Sequence, residues 1–330
     1  MITLVGKPKP VDQLAFLPDG QLVTARKPAD SVYEGVEVWD LPSQQRLRVI
    51  PTDSTVNGFL WHPGGRWMYA EAWGHPDLSL IDLQSGDVHG LRCVTYGQHF
   101  PVAVSQDSRY VIASVHTKNY PRGRDLDRSD TQDWLMCWDH SGLGKPKLYW
   151  ERQRTLREWI TYGIAFLPTR DRFVTFEAKV WGPRKSQGSQ LAVRSTTDGK
   201  LLRKVACEGT DQLLVSPDGK WVVTRWGKVI SIWAADSLTR AAFEITADND
   251  PGWYLSSFFG PSLAFHPSGR FLAATSNDAT VRMYDTSNWS LATTYTWDIG
   301  RMRSVAFSPD GLLGAAGSDT GKVVVWDVDV

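Results

Sequence analysis

The sequence predicts an all-β repeat protein. Short β-prone runs separated by turn residues recur from one end of the chain to the other. They recur at intervals of about 40–50 residues, the period expected for the blades of a propeller. No run with a helical period longer than a turn or two interrupts them. The last copy, 302–330, is the clearest. It holds Ser304-Val305-Ala306-Phe307, a second run over 312–316 and a third in Val323-Val324-Val325-Trp326. Asp310-Gly311 and Ser318-Asp319-Thr320-Gly321 separate the runs, so three antiparallel strands are predicted. Such a small sheet, apolar on both faces, needs neighbours to cover it.

The neighbours follow in order. Copy one opens with Leu14-Ala15-Phe16-Leu17-Pro18-Asp19-Gly20 and closes with Val36-Glu37-Val38-Trp39-Asp40. Copy two has Phe59-Leu60-Trp61-His62-Pro63-Gly64-Gly65 and then Leu78-Ser79-Leu80-Ile81-Asp82. Copy three runs from Val102-Ala103-Val104 to Leu135-Met136-Cys137-Trp138-Asp139, and copy four from Ile164-Ala165-Phe166-Leu167-Pro168 to Leu191-Ala192-Val193-Arg194. Copy five pairs Leu213-Leu214-Val215-Ser216-Pro217-Asp218-Gly219 with Ile230-Ser231-Ile232-Trp233. Copy six pairs Leu263-Ala264-Phe265-His266-Pro267-Ser268-Gly269 with Val281-Arg282-Met283-Tyr284-Asp285.

The Ala-Phe-x-Pro-Asp-Gly openings, and the Trp-Asp closings at Trp39-Asp40, Trp138-Asp139 and Trp326-Asp327, resemble the WD40-repeat family over essentially the whole chain. The resemblance implies a seven-bladed β-propeller of four-stranded blades. The family's Gly-His dipeptide is missing, copy four lacks the Trp-Asp pair and copy five reads Trp233-Ala234. The blades are therefore expected to rest on packing more than on the family's polar network. The last copy has no fourth strand, and a spare β-prone run, Ile2-Thr3-Leu4-Val5, precedes the first. The N-terminal run is expected to become the outer strand of the last blade, lying beside 323–326 and leaving only short protected edges. One domain over 1–330 is expected, with 1–6 and 302–330 sharing the last blade.

Composition narrows the function. The chain has 330 residues, 36 acidic and 36 basic, for a formal net charge of zero. That counts against nucleic acid as a partner, although a local basic patch is allowed. Three scattered cysteines, Cys93, Cys137 and Cys207, form neither a disulfide framework nor a zinc motif. No signal peptide and no membrane-length apolar run is read, so the cytoplasm is the expected location. The Gly-Lys pairs lack phosphate-loop spacing, no GxSxG elbow occurs, and the seven histidines are scattered. No cofactor or metal is expected. Asp40, Asp82, Asp139, Asp285 and Asp327 share one repeat position, which points to a structural role at the end of the third strand.

In the implied fold the second turns and the blade connections share one face, the top. The long insertions fall there: 27–35, 117–133 and 180–190, with connections 152–162 and 247–261. Long loops on a rigid scaffold carry function. Tryptophans and arginines, the residue types enriched at binding hot spots, converge on that face. The candidate partner contacts are Trp73, Arg122, Arg157, Trp159, Trp181, Arg184, Trp226, Trp253, Tyr254 and Arg301. Trp39, Trp138, Trp233 and Trp326 are expected in the core instead. The leading reading is a non-catalytic, monomeric scaffold that binds a peptide or protein partner on the top face. The alternative is a lactonase- or hydrolase-like propeller enzyme with a small-molecule site at the central channel. It would need convergent His, Asp or Glu on the first strands, which read as apolar.

Overall fold

The computed structural model describes residues 1–26, 35–51, 56–62, 65–72, 77–92, 97–117, 132–141, 146–154, 159–168, 171–179, 188–246 and 263–328. Its strands form seven four-stranded antiparallel sheets arranged in a ring. β1 (Ile2–Val5) is set aside at first. Blade one is β2 (Val11–Phe16), β3 (Leu22–Arg26), β4 (Val36–Asp40) and β5 (Gln45–Ile50), and blade two is β6 (Val56–Trp61), β7 (Trp67–Ala72), β8 (Asp77–Asp82) and β9 (Val88–Arg92). Blade three is β10 (Gly97–Val104), β11 (Tyr110–Thr117), β12 (Gln132–Asp139) and β13 (Lys147–Arg154). Blade four is β14 (Trp159–Phe166), β15 (Arg172–Lys179), β16 (Ser189–Ser195) and β17 (Leu201–Cys207). Blade five is β18 (Gln212–Val215), β19 (Trp221–Trp226), β20 (Val229–Ala234) and β21 (Ala241–Thr246), and blade six is β22 (Leu263–Phe265), β23 (Phe271–Thr275), β24 (Thr280–Asp285) and β25 (Ser290–Thr296).

Blade seven joins the two ends of the chain. β26 (Met302–Phe307), β27 (Leu313–Ser318) and β28 (Lys322–Asp327) are completed by β1. Ile2, Thr3, Leu4 and Val5 pair antiparallel with Val325, Val324, Val323 and Lys322. The expected partner strand is correct, with the paired stretch one residue earlier than 323–326. Leu4 is buried with Val11, Leu22, Val323 and Val325 in the core between blades seven and one. Each such side chain contributes about 1.5–3 kcal/mol. A second clasp sits beside this pairing. The Arg26 guanidinium donates to the Gly321 carbonyl at 2.5 Å and to the Lys7 and Lys9 carbonyls at 3.3 and 3.4 Å. Ser304 Oγ adds a bond to the Val11 carbonyl at 2.7 Å.

The third-strand tryptophans Trp39, Trp138, Trp233 and Trp326 are all buried, as expected. Polar contacts add to this packing in several blades. In blade one Trp39 Nε1 donates to Thr24 Oγ1 at 3.1 Å, and Thr24 donates to Glu37 at 3.1 Å. Arg26 and Arg46 bracket the same carboxylate at 2.5 and 2.9 Å. Blade five repeats the first step, with Trp233 Nε1 donating to Thr224 Oγ1 at 3.0 Å. Blade four has Arg194 where the tryptophan would stand. Its guanidinium is buried against Glu177, with Nη2 at 2.8 Å, and Thr175 and Gln190 donate to the same carboxylate. The missing Trp-Asp pair is thus replaced by a buried ion pair whose lone pairs are satisfied.

Neighbouring blades are stapled at recurring positions. The outer-strand residue opposite the one preceding the Trp position is Arg48, Trp150 or Arg203 in blades one, three and four. Each donates to backbone carbonyls of the next blade's third turn: Arg48 to Leu83 and Gln84, Trp150 to Thr196, Arg203 to Asp236 and Ser237. On the inner strands Gln13 accepts from Phe59 N at 2.8 Å, and Gln212 bonds both the amide and the carbonyl of Leu263. His62 and His266, in the first turns of blades two and six, donate to the Ser108 and Gly311 carbonyls of the following blades at 3.1 and 2.9 Å.

The repeated aspartates serve the third turns. Asp40 accepts from the Ser43 amide, Asp82 from Gln84 and Ser85, Asp139 from Ser141 and Asp285 from Ser287. Hydrogen bonds from Ser43 and Ser287 hold Asp40 and Asp285 below the ordinary carboxylate range. Asp82 is also lowered, because its bonds to Gln84 and Arg66 outweigh its burial. Lys200 lowers Asp198, in another third turn, to about 2.

Deleting residues 1–6 should cost several kcal/mol and lower Tm by about 10 °C, read by calorimetry, since the outer strand of blade seven is lost together with the buried Leu4 side chain. An unchanged Tm would mean that the ring closes another way. Arg194→Ala should destabilise by about 3–5 kcal/mol in urea unfolding, because Glu177 is left buried and uncompensated. Glu177→Gln with Arg194→Met should lose less. The turn aspartates have depressed folded-state pKa values, so their contribution is complete above the unfolded-state value of about 4 and is lost as pH falls below it. Tm should therefore fall between about pH 4 and pH 2, and replacing Asp40, Asp82 and Asp285 by Asn should flatten that fall.

Candidate functional site

The chain direction in the blades puts the ends of β15 and β19 and the start of β14 on the top face. Trp159 opens β14 and is half-buried, its ring over Gly188 and with Lys179 Nζ 5.8 Å from its centre. Trp226 ends β19 and is 50% exposed. Its indole lies on Gly209, where a Cβ would stand 2.8 Å from the ring. A two-residue turn, Gly227-Lys228, follows, and φ of +56° at Gly227 suits glycine. Trp226 is therefore a large apolar side chain held in place and left open to solvent.

The two tryptophans stand on adjacent blades, four and five. Arg301, exposed just before β26, lies at the entry to blade seven, with its amide and carbonyl tied to Asp319. It is not part of the same cluster. Trp73, Arg122, Arg157, Trp181, Arg184, Trp253 and Tyr254 lie outside the described residues. Trp297, just after β25, stacks on Tyr295 at 5.7 Å and lies tilted against Trp326 at 4.8 Å, so it packs between blades.

Below Trp226 a groove of about 380 Å³ opens between blades four and five. One wall is the end of β17 and the connection after it, with Cys207, Glu208 and Gly209. The other is the face of β20 and β21, with Val229, Ser231, Trp233 and Glu244, and Arg240 stands at its lower end. Sequence reading finds Trp226 and Cys207 but not the role of Glu208, Arg240 or Glu244. Charged residues on exposed outer strands are common, and no motif singles these out. Burial pushes the Cys207 thiol up to about 12, so it stays protonated at neutral pH and is a poor nucleophile.

Behind the groove Arg225 is 1% exposed, with Nε 3.0 Å from Asp211 Oδ1. Its Nη1 and Nη2 find no acceptor among the described residues. Burial lowers the Arg225 pKa and raises that of Asp211, against the attraction between them. The inner-strand polar residues Gln13 and Gln212 are occupied in bonds between blades. Among the described residues no three His, Cys, Asp or Glu side chains gather as metal ligands, and no helix is long and apolar enough to cross a membrane. The arrangement offers an aromatic ledge, an apolar groove floor and fixed charges, which is the chemistry of binding.

Comparison with known proteins agrees with this architecture. The family model described as "WD domain, G-beta repeat" matches residues 260–285 and 291–327. The serine-threonine kinase receptor-associated protein of Gallus gallus is 30% identical over 297 residues, covering 86% of this chain and 73% of that protein. Its Homo sapiens counterpart is 31% identical over 118 residues, 34% of this chain and 30% of the relative. A probable cytosolic iron-sulfur protein assembly protein 1 of Yarrowia lipolytica is 45% identical over 64 residues, 18% of this chain and 19% of its own length. With seven four-stranded blades, buried third-strand tryptophans and a relative matched along most of both chains, this protein belongs to the WD-repeat family.

Proposed function

We propose that this chain is a non-catalytic interaction scaffold that holds a peptide or protein segment on its top face, at blades four and five. The observation that carries the reading is Trp226, half-exposed, fixed on Gly209 and standing over a groove. An ordered aromatic side chain loses little entropy on binding and buries a large area, which makes it a hot-spot residue. Trp159 on the neighbouring blade extends the surface. Trp73, Arg122, Arg157, Trp181, Arg184, Trp253 and Tyr254 are proposed as its surroundings, and Arg301, at the entry to blade seven, as a separate contact on the same face. The relatives' names, receptor-associated protein and assembly protein, describe proteins that act by association. The chain is proposed to act as one monomeric propeller domain in the cytoplasm, where free Cys137 and Cys207 stay reduced.

Affinity purification of the intact chain, with the captured partner identified by mass spectrometry, tests this directly. Trp226→Ala should weaken the captured partner by about 30-fold, and Trp159→Ala together with it by more, matching a hot-spot loss of about 2 kcal/mol. Tm should stay within about 2 °C, since a half-exposed side chain contributes little to the core. Retained binding with both tryptophans removed would overturn the proposal.

A further inference from the structure

We propose that the groove between blades four and five takes an extended peptide segment carrying one cationic side chain near Trp226. This rests on the top-face reading above and names the chemistry of the partner. The groove floor is apolar, through Val229, Trp233 and Ala241, and its upper part is acidic. Glu208 and Glu244 line it, both are exposed, and neither has a basic partner among the described residues. Glu244 has only a long contact, 3.5 Å, from Ser231 Oγ. The Trp226 indole completes this end, and an aromatic face beside unpaired carboxylates attracts an ammonium or a guanidinium twice over, through the ring and through charge.

Strand spacing fixes the length of the segment. Arg240, just before β21, and Glu244 within it are four positions apart, which is about 13 Å at 3.3 Å per residue. Thr246 pairs with Val229, and Val229 with Trp226, so the groove reaches the tryptophan about 20 Å from Arg240. An extended segment of about six residues spans that distance. Arg240, the single cation among the lining residues, limits the acidic stretch to the upper end. The groove therefore suits one cation above and a neutral or acidic residue below, not a polybasic tract. The two carboxylates also oppose a polyanion such as RNA.

The test uses the full chain and three fluorescein-labelled octapeptides, read by fluorescence polarisation. Each alternates serine and valine, with arginine, glutamine or glutamate at one central position. The arginine peptide should bind about tenfold more tightly than the glutamine peptide, and the glutamate peptide more weakly still. Glu208→Lys with Glu244→Lys should reverse that order with Tm unchanged, since both side chains are on the surface. Equal binding of the three peptides, or an arginine preference that survives the double variant, overturns the proposal. The two readings fail separately. Loss of the natural partner in Trp226→Ala without any arginine preference leaves the top-face reading and removes the groove assignment. An arginine preference abolished by the double variant, with partner capture intact in the tryptophan variants, does the reverse.

Discussion

The ring depends on one junction, the pairing of β1 with β28. Six of the seven blades are built from consecutive strands, each of which can form its hairpins locally. Blade seven alone needs the two ends of the chain to meet. Closing a loop of that length carries an entropic cost that grows slowly with length, so a four-residue strand with one buried leucine can help offset it. Arg26 strengthens the junction from the neighbouring blade. It is itself anchored by Glu37, so its donors point at the Gly321, Lys7 and Lys9 carbonyls without further ordering.

Around the rest of the ring the same problem is solved by repetition. A propeller blade is a twisted sheet whose two faces must both be covered by neighbours, and apolar packing alone leaves the turn carbonyls at the rim without partners. Arg48, Trp150 and Arg203 supply donors to those carbonyls from equivalent outer-strand positions, while Gln13 and Gln212, at equivalent inner-strand positions, bond the backbone of the next blade's first strand. Different side chains at one geometric position do one job, which explains how the repeats diverge in sequence and still close. Blade four goes furthest, with Arg194 and Glu177 where a tryptophan would stand.

A rigid ring of this kind presents surface without needing to move. The groove at blades four and five is bounded by elements that are fixed for structural reasons: β17 holds blade five through Arg203, and Trp233 is bonded to Thr224 in the groove floor. Trp226 is likewise seated on a glycine that has no side chain to displace it. Binding to such a surface loses little free energy to reorganisation, so modest contacts suffice for recognition.

Much of the fold was legible in the chain itself. The Pro-Asp-Gly turns, the apolar runs and the Trp-Asp closings are local patterns, and they specified seven units, their strands and the fate of residues 2–5. The aspartate positions and the buried third-strand tryptophans were legible for the same reason. The candidate site was legible only in part, as Trp226 and Trp159. Glu177 and Arg194 could not be paired from sequence, because their contact joins β15 to β16 across a long insertion. Glu208 and Glu244 were hidden for a sharper reason. A bulge interrupts the pairing of third and fourth strands just before the Trp position in blades one, three, four, five and six. In blade five it skips Ala242, so Trp233 faces Ala241 while Ile232 faces Phe243. One skipped residue exchanges the two faces of a strand. Composition and periodicity decide that β21 exists; only the assembled blade decides that Glu244 looks into the groove.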